Sequence, residues 1–339
     1  VSLQVKEEKL ESLPGLYRDE GRLLSWPVIF ILPSWIESWW SVFGESRYEP
    51  ALRSVWKGED LIGLAPLMFH GKTARLIGSA DVCDYLDFII KPGEEEAFFD
   101  ALLPALSAEG TGTLILESQR PDAAVFSGFF AAEKRNRFKG FYVADTMSSE
   151  VPLARSWEEY LLFLNKKQRH EVRRKLRKLE NESNGYRYEA IGETGRGKTG
   201  DPVTFIPRFL ELFNENPDKA DFMTEQMKEY FQALIHNTSR VGLSRYGLLE
   251  VNGEPAAAVL YFVYDSRVYL YNSGYHEKYA HLSVGLLSKI LCIRDSVERG
   301  YRVFDFLKGP EVYKSRLGGV EVPNYTVTIE LDAGGGSRQ

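Results

Sequence analysis

The chain has 339 residues, enough for one large domain or two of ordinary size, and 44% of them are hydrophobic, as in a protein with a sizeable core. A formal charge of −6 argues against a general nucleic-acid or membrane-surface protein, and leaves only a local basic patch to serve such partners. The two cysteines, Cys83 and Cys292, cannot make a disulfide framework and have no metal-ligand residues at short spacing, so no metal is expected. VSLQVKEEKLE lacks an apolar signal core and the run VIFIL is too short to span a bilayer, so the expectation is a cytoplasmic protein without a transmembrane segment.

In chain order, PSWIESWWSVFG reads as a helix capped by Ser34, with Trp35, Ile36, Trp39, Trp40 and Phe43 on a broad apolar surface suited to packing. Two strands follow around Lys57-Gly58-Glu59-Asp60, then a third, ARLIGS. In SADVCDYLDFII, Asp81, Asp84 and Asp87 interrupt apolar residues, and two readings stand: carboxylates that bind a substrate amine or hydroxyl, or caps for the turn into a strand. EEEAFFDALLPALSAEG is a helix with acidic residues at its favourable end, TGTLILES is a strand, and FKGFYVADT closes this half.

WEEYLLFLNKKQRHEVRRKLRKLEN reads as one long helix, because Leu161, Leu164, Val172, Leu176 and Leu179 recur at helical spacing. Its other faces carry eight basic residues between Lys166 and Lys178, read chiefly as a solvated face and alternatively as a meeting point for phosphates. GETGRGKT, from Gly192 to Thr199, fits the phosphate-loop pattern letter for letter, but Pro202 follows where the required helix must begin, so a basic surface loop is preferred. Two helices then lead to a second hairpin around Asn252-Gly253 and a third strand, RVYLYNS. The recurrence of hairpin plus third strand is weak internal repetition and suggests two similar halves.

SVGLLSKILCIRDSVERG reads as a helix with Ser283 supplying an N-cap oxygen and Gly300 the stop. YRVFDFL reads as a buried parallel strand, and PEVYKSRL as a last short helix with Pro310 at its first position. Strand, crossover helix and strand put the helix N-terminus beyond the strand ends, where N–H groups around Ser283, Val284 and Gly285 suit an anion and Gly285 allows close approach. An ordinary capped helix is the alternative. PNYTVTIEL is a final strand, and DAGGGSRQ is read as a disordered tail.

The series from YLYNSGYHEKYAHLSVGLL to DFLKGPEVYKSRLG resembles the end of GNAT-fold acyltransferases of the CelD/FemAB-like type, with Val284 where their helix start often has Pro. The resemblance extends to KKQRHEVRRKLRKLE and PSWIESWWSVFG. It implies an α/β protein of two tandem GNAT-like halves, with mixed sheets flanked by helices, over residues 1–150 and 151–332. It also implies transfer of an acyl group from acetyl-CoA or another acyl-CoA to an amine, or a hydroxyl, of a small molecule or saccharide precursor. In the matching positions Tyr313 is the proton donor to the leaving thiolate, with plain core packing as its rival reading, and Lys314 the cation beside the reacting carbonyl; Asp305, a carboxylate in an apolar strand, needs a partner, and either orients Lys314 or the acceptor amine or holds the following loop. From the residues themselves, Ser283, Val284, Gly285 and Leu286 are candidates to hold the donor, Asp84, Asp87 and Tyr271 to hold the acceptor, and Glu250, His276 and His281 to deprotonate it. The alternatives within the resemblance are an aminoacyl-tRNA-dependent transferase and an inactive GNAT-like binding module.

Overall fold

The computed structural model describes residues 2–19, 23–131, 137–192, 200–215 and 222–332. The phosphate-loop match beyond Gly192 and the tail from residue 333 lie outside the described residues. The chain forms two compact units, Val1–Thr146 with Pro323–Gln339, and Met147–Val322.

The first unit carries β1 (Leu3–Glu8), α1 (Leu13–Asp19), α2 (Pro33–Trp39), β2 (Glu49–Lys57), β3 (Asp60–His70), β4 (Thr73–Leu76), β5 (Ile89–Ile90), α3 (Glu95–Ala108) and β6 (Thr113–Gln119). The helix at α2 starts at Pro33, with Leu32 as its cap residue and no side-chain cap. Ser34 is therefore not the cap. Proline at the first helical position forfeits an N–H that has no partner there anyway. The Lys57-Gly58-Glu59-Asp60 turn joins β2 to β3, β3 pairs antiparallel with β4, and β4 runs parallel to β6. Phe88, Phe98 and Phe99 form an edge-on aromatic cluster in this unit's core, with ring centroids 5.2 to 5.4 Å apart.

The second unit follows the same plan. Strand β7 (Lys139–Pro152) leads into α4 (Trp157–Phe163), α5 (Lys166–Glu182), β8 (Tyr186–Ile191), α6 (Pro202–Asn214), α7 (Glu225–Arg240), β9 (Ser244–Val251), β10 (Glu254–Tyr264) and β11 (Arg267–Tyr275). Then come α8 (Val284–Glu298), β12 (Val303–Lys308), α9 (Val312–Arg316) and β13 (Val320–Glu330). Strands β8 to β11 pair antiparallel in sequence order, and β11 is parallel to β12. In each unit a hairpin, a third strand and a parallel fourth are thus joined through a helix. Each fourth strand also ends on a non-glycine residue in the left-handed region, Ser118 (φ 61°) and Leu307 (φ 62°). The weak repetition in the sequence is a repetition of topology.

The strands after the parallel ones are exchanged. The far end of β7 pairs with β12, from Pro152↔Val303 to Ser148↔Lys308. The far end of β13 pairs with β6, from Tyr325↔Gln119 to Glu330↔Thr113. The sequence boundary at residue 150 therefore falls inside β7, and the strand read as the end of the second half completes the sheet of the first.

The helix expected over 157–181 is two helices. Leu164 turns extended, and Asn165 caps α5 by accepting the Gln168 N–H at 2.9 Å, while the Gln168 side chain accepts the Asn165 N–H at 2.8 Å. This reciprocal cap satisfies two donors that a continuous helix would have paired with carbonyls, so the apolar rhythm passes across a corner. Pro202 opens α6 at its first position instead of breaking it, with Asp201 as cap.

Two features of the second unit shape its site. The pairing of β10 with β11 shifts register between Leu260 and Tyr261, leaving Tyr271 as an extra residue on β11. Side-chain alternation inverts there, so Val268 and Leu270 join the core under α8, and beyond the bulge Ser273 and Tyr275 face that same side. Strands β11 and β12 pair only over Arg267↔Val303 to Tyr269↔Asp305, after which they part. Helix α8 buries residues all round its circumference, as a helix does between a sheet and a further layer.

Candidate active site

A cleft of about 1970 Å³ opens in the second unit where β11 and β12 separate. It is bounded by α5 over residues 165–177, the end of β11 at Ser273 and Tyr275, the first turns of α8, and α9 at Glu311, Tyr313, Arg316 and Leu317. The lining holds nine Lys or Arg against three Glu, in a chain whose formal charge is −6, so positive charge is concentrated here. Seven of the nine lie on α5, the helix whose basic face reads most simply as solvated. Five of those seven, Lys166, Lys167, Arg173, Arg174 and Arg177, are exposed, as a solvated face has them, and they also focus a field on whatever enters the cleft.

The floor is the start of α8. Ser283 is left-handed, at φ 62° and ψ 36°, and its side chain does not cap the helix. The expectation of an N-cap oxygen fails because in this conformation the carbonyl takes the Leu286 and Leu287 N–H groups while the hydroxyl accepts from Lys175 Nζ at 2.8 Å. Val284 and Gly285 line the cleft, and their N–H groups precede the first carbonyl that a helix turn offers. A side chain at Gly285 would meet Tyr275 Cδ1 at 2.9 Å. Glycine is needed here for the tyrosine ring, not only for the approach of a ligand.

Tyr313 lines the cleft from α9, with its ring 6.1 Å from that of Phe306 and Lys289 Nζ 5.1 Å from its centroid. Burial first, and Glu311 second, push its phenol well above the ordinary tyrosine range, so it carries its proton at neutral pH. Lys289, which the sequence reading passed over, is nine-tenths buried on α8 and donates to Ser273 Oγ at 3.0 Å and to Gly285 O at 2.7 Å. Its signal in the sequence is a single cation in the apolar run GLLSKILCI, one turn past the helix start. Opposite, Glu171 is held down at about 2, chiefly by a forked pair of 2.8 Å hydrogen bonds from Arg174.

Other expected site residues lie elsewhere. Lys314 is 2% exposed, and its ammonium donates to the carbonyls of Leu307, Lys308 and Gly309 and pairs with Glu311 at 3.0 Å. Those bonds commit all its hydrogens to the loop between β12 and α9, and it does not line the cleft. Asp305 is fully buried, accepts the Leu307 N–H at 2.8 Å and pairs with Arg267 at 3.1 Å, which pairs in turn with Glu150 at 2.6 Å. It holds the same loop. Glu250 pairs with Arg187 at 2.9 Å, His276 with Glu215 at 2.9 Å, and Tyr271 packs on Phe231 and Phe262. Asp84 and Asp87 belong to the first unit. Asp87 is buried and accepts the N–H groups of Phe88 and Ala124, and burial pushes its carboxyl up to about 7. Of the named residues, the cleft therefore brings together Ser283, Val284, Gly285, Leu286 and Tyr313.

Burial also pushes the Cys292 thiol up to about 12, which removes it as a nucleophile at neutral pH. Among the described residues no group of three or more His, Cys, Asp or Glu is placed to hold a metal, and no helix is long and apolar enough to cross a membrane.

A third strand with a bulge, a crossover helix whose N-terminus faces a cleft, and a parallel strand that splays away are the arrangement of a GNAT-type fold. Residues 166–315 match the family model described as an acetyltransferase (GNAT) domain. The fold is shared with a crystal structure of FemX, at TM-score 0.63 and 12% identity over 96% of each chain. It is also shared with a conserved protein of unknown function from Bacteroides thetaiotaomicron VPI-5482, at TM-score 0.58 and 13% identity over 97% of this chain and 100% of that one. A third likeness is to the C-terminal domain of a putative lysylphosphatidylglycerol synthetase from Agrobacterium fabrum, at TM-score 0.53 and 9% identity over 86% and 90%. No curated protein matches the sequence. The chain therefore shares the GNAT-type fold of FemX over nearly its whole length, and the stretch that matches the acetyltransferase (GNAT) model lies in the second unit.

Proposed function

We propose that the second unit is an N-acyltransferase whose cleft takes an acyl-CoA and passes the acyl group directly to an amine of a small molecule or saccharide precursor in the cytoplasm. The observation that carries this is the meeting, in one basic cleft, of the open start of α8 with the half-buried Tyr313. Phosphates of the donor sit at the Val284 and Gly285 N–H groups with Lys175 beside them, and the thioester reaches inward along β11 toward Tyr313. The acceptor nitrogen attacks the carbonyl carbon, and the carbon–sulfur bond breaks. The thiolate takes the Tyr313 proton, and the phenolate recovers one from the new ammonium through solvent. Lys289 stands over the ring that becomes anionic, and a nearby cation favours that charge. Lys314 and Asp305 act as positioning residues for the loop that carries α9.

A second reading, an aminoacyl-tRNA as donor, draws on the cleft's volume, which exceeds the roughly 300–1,000 Å³ of ordinary small-molecule pockets, and on its wall of cations. Thiol release from acetyl-CoA across a panel of amines tests the first reading. Tyr313→Phe is expected to slow release about ten- to a thousandfold with donor affinity unchanged. Release from no amine, with CoA failing to compete against aminoacyl-tRNA for the cleft, supports the second.

A further inference from the structure

Leu162 is the most exposed large apolar side chain among the described residues, and its neighbour Phe163 is exposed too. Leu162 is 68% and Phe163 56% exposed at the C-terminal end of α4. Adjacent exposed apolar side chains rimmed by charged residues are the kind of patch that meets an outside surface. Three residues on, the reciprocal cap at Asn165 starts α5 and sends Lys166 and Lys167 out from its first turn, both exposed. Across from them, the Gln168 side chain ties this turn to α9 by donating to Ser315 O at 2.7 Å, next to Arg316. Phe163 Cδ1 lies 3.8 Å from the Cβ position of Gly318, two residues past Arg316. Two apolar side chains and three cations therefore share one edge of the second unit, at the mouth of the cleft that Lys166, Lys167 and Arg316 also line. The acidic residues of α4, Glu158 and Glu159, sit in its first turn, at the other end of the helix.

We propose that this edge docks on a lipid bilayer carrying anionic headgroups, with Leu162 and Phe163 inserted at the acyl boundary and Lys166, Lys167 and Arg316 against the headgroups. Charge complementarity selects the occupant. Nucleic acid would use the cations and leave the apolar pair in water, whereas a headgroup layer satisfies both. The overall charge of −6 confines attraction to this edge and so orients the cleft mouth toward the surface. The proposal does not depend on which donor the cleft takes.

Vesicle flotation tests it, with phosphatidylcholine vesicles with and without phosphatidylglycerol. The parent is expected to float with the anionic vesicles, much less with the neutral ones, and to be released by salt. Lys166→Gln with Lys167→Gln is expected to weaken partitioning about 25-fold, at about fivefold per cation. Leu162→Glu with Phe163→Glu is expected to weaken it by about a hundredfold or more, with the circular dichroism and melting curve of the parent. Three results overturn the proposal: failure of the parent to float at low salt, binding undiminished in the Leu162/Phe163 variant, or loss of a parent dimer in that variant by light scattering. RNA binding that survives the Leu162/Phe163 change, without flotation, assigns the cations to nucleic acid instead.

Discussion

Lys314 is buried against the loop before α9, while Lys289, on α8, lines the cleft. The Tyr-Lys pair was legible as a motif, but the direction of the lysine was not, because its bonds run to carbonyls created by the left-handed turn at Leu307. Lys314→Met keeps the stem and leaves those carbonyls without their donor. It is expected to cost about 2–4 kcal/mol in urea denaturation and to leave CoA affinity unchanged; full stability with a large loss of rate would return Lys314 to the reacting carbonyl. Asp87 offers a test by pH. Its carboxyl is raised in the folded state to about 7, so the folded protein binds this proton more tightly than the unfolded chain does. The associated stability is fully present below the unfolded value near 3.8 and is lost as pH rises toward and through about 7. Asp87→Asn, which keeps one oxygen to accept the Phe88 and Ala124 N–H groups, is expected to flatten the fall in melting temperature between acid and neutral pH. Parallel curves for parent and variant would show that Asp87 is ionised without penalty.

At the scale of elements, apolar periodicity located every strand of the two hairpins and the crossover α8, because those elements bury continuous faces. It failed at the corner between α4 and α5. Leu161 and Leu164 are both buried there, and the chain turns only because Asn165 and Gln168 cap each other, a signal of two polar residues inside a long basic run. Asn165→Ala is expected to cost about 1 kcal/mol by denaturation, the ordinary worth of a cap, and to lower CoA affinity by loosening the wall that α5 provides. A variant with unchanged stability would mean that 157–182 tolerates a straight helix. The bulge at Tyr271 was equally hidden. One extra residue in RVYLYNSGY changes which side chains face the cleft, and alternation alone counts straight through it. The basic face of α5 was visible as composition but not as a wall, since what seats the helix is the burial of Val172 and Leu179 in the core with α8, joined by the bonds of Lys175 to Ser283 and of Lys178 to the His281 carbonyl.

At the scale of the molecule, the halves were legible through their repeated hairpins, and their borders were not. Nothing in VADTM or VPNYT marks where one strand passes from one unit's residues to the other's, because both strands are continuous in the backbone. The exchange predicts that residues 1–146 alone leave β6 without its β13 partner, so this fragment is expected to be largely unfolded by circular dichroism, and to gain order when a peptide covering 320–332 is added. A fragment that is fully folded without the peptide would show that β13 is dispensable to the first unit. The charge of the molecule is likewise segregated rather than uniform, and the central claim is that its positive pole is the donor site. Titration calorimetry of CoA into the parent and into Lys175→Glu measures this directly. The expected result is saturable binding by the parent, weakened about thirtyfold or more by a charge reversal 2.8 Å from the Ser283 hydroxyl at the start of α8, with the melting curve retained. Equal binding by parent and variant, or no binding by the parent, would contradict it.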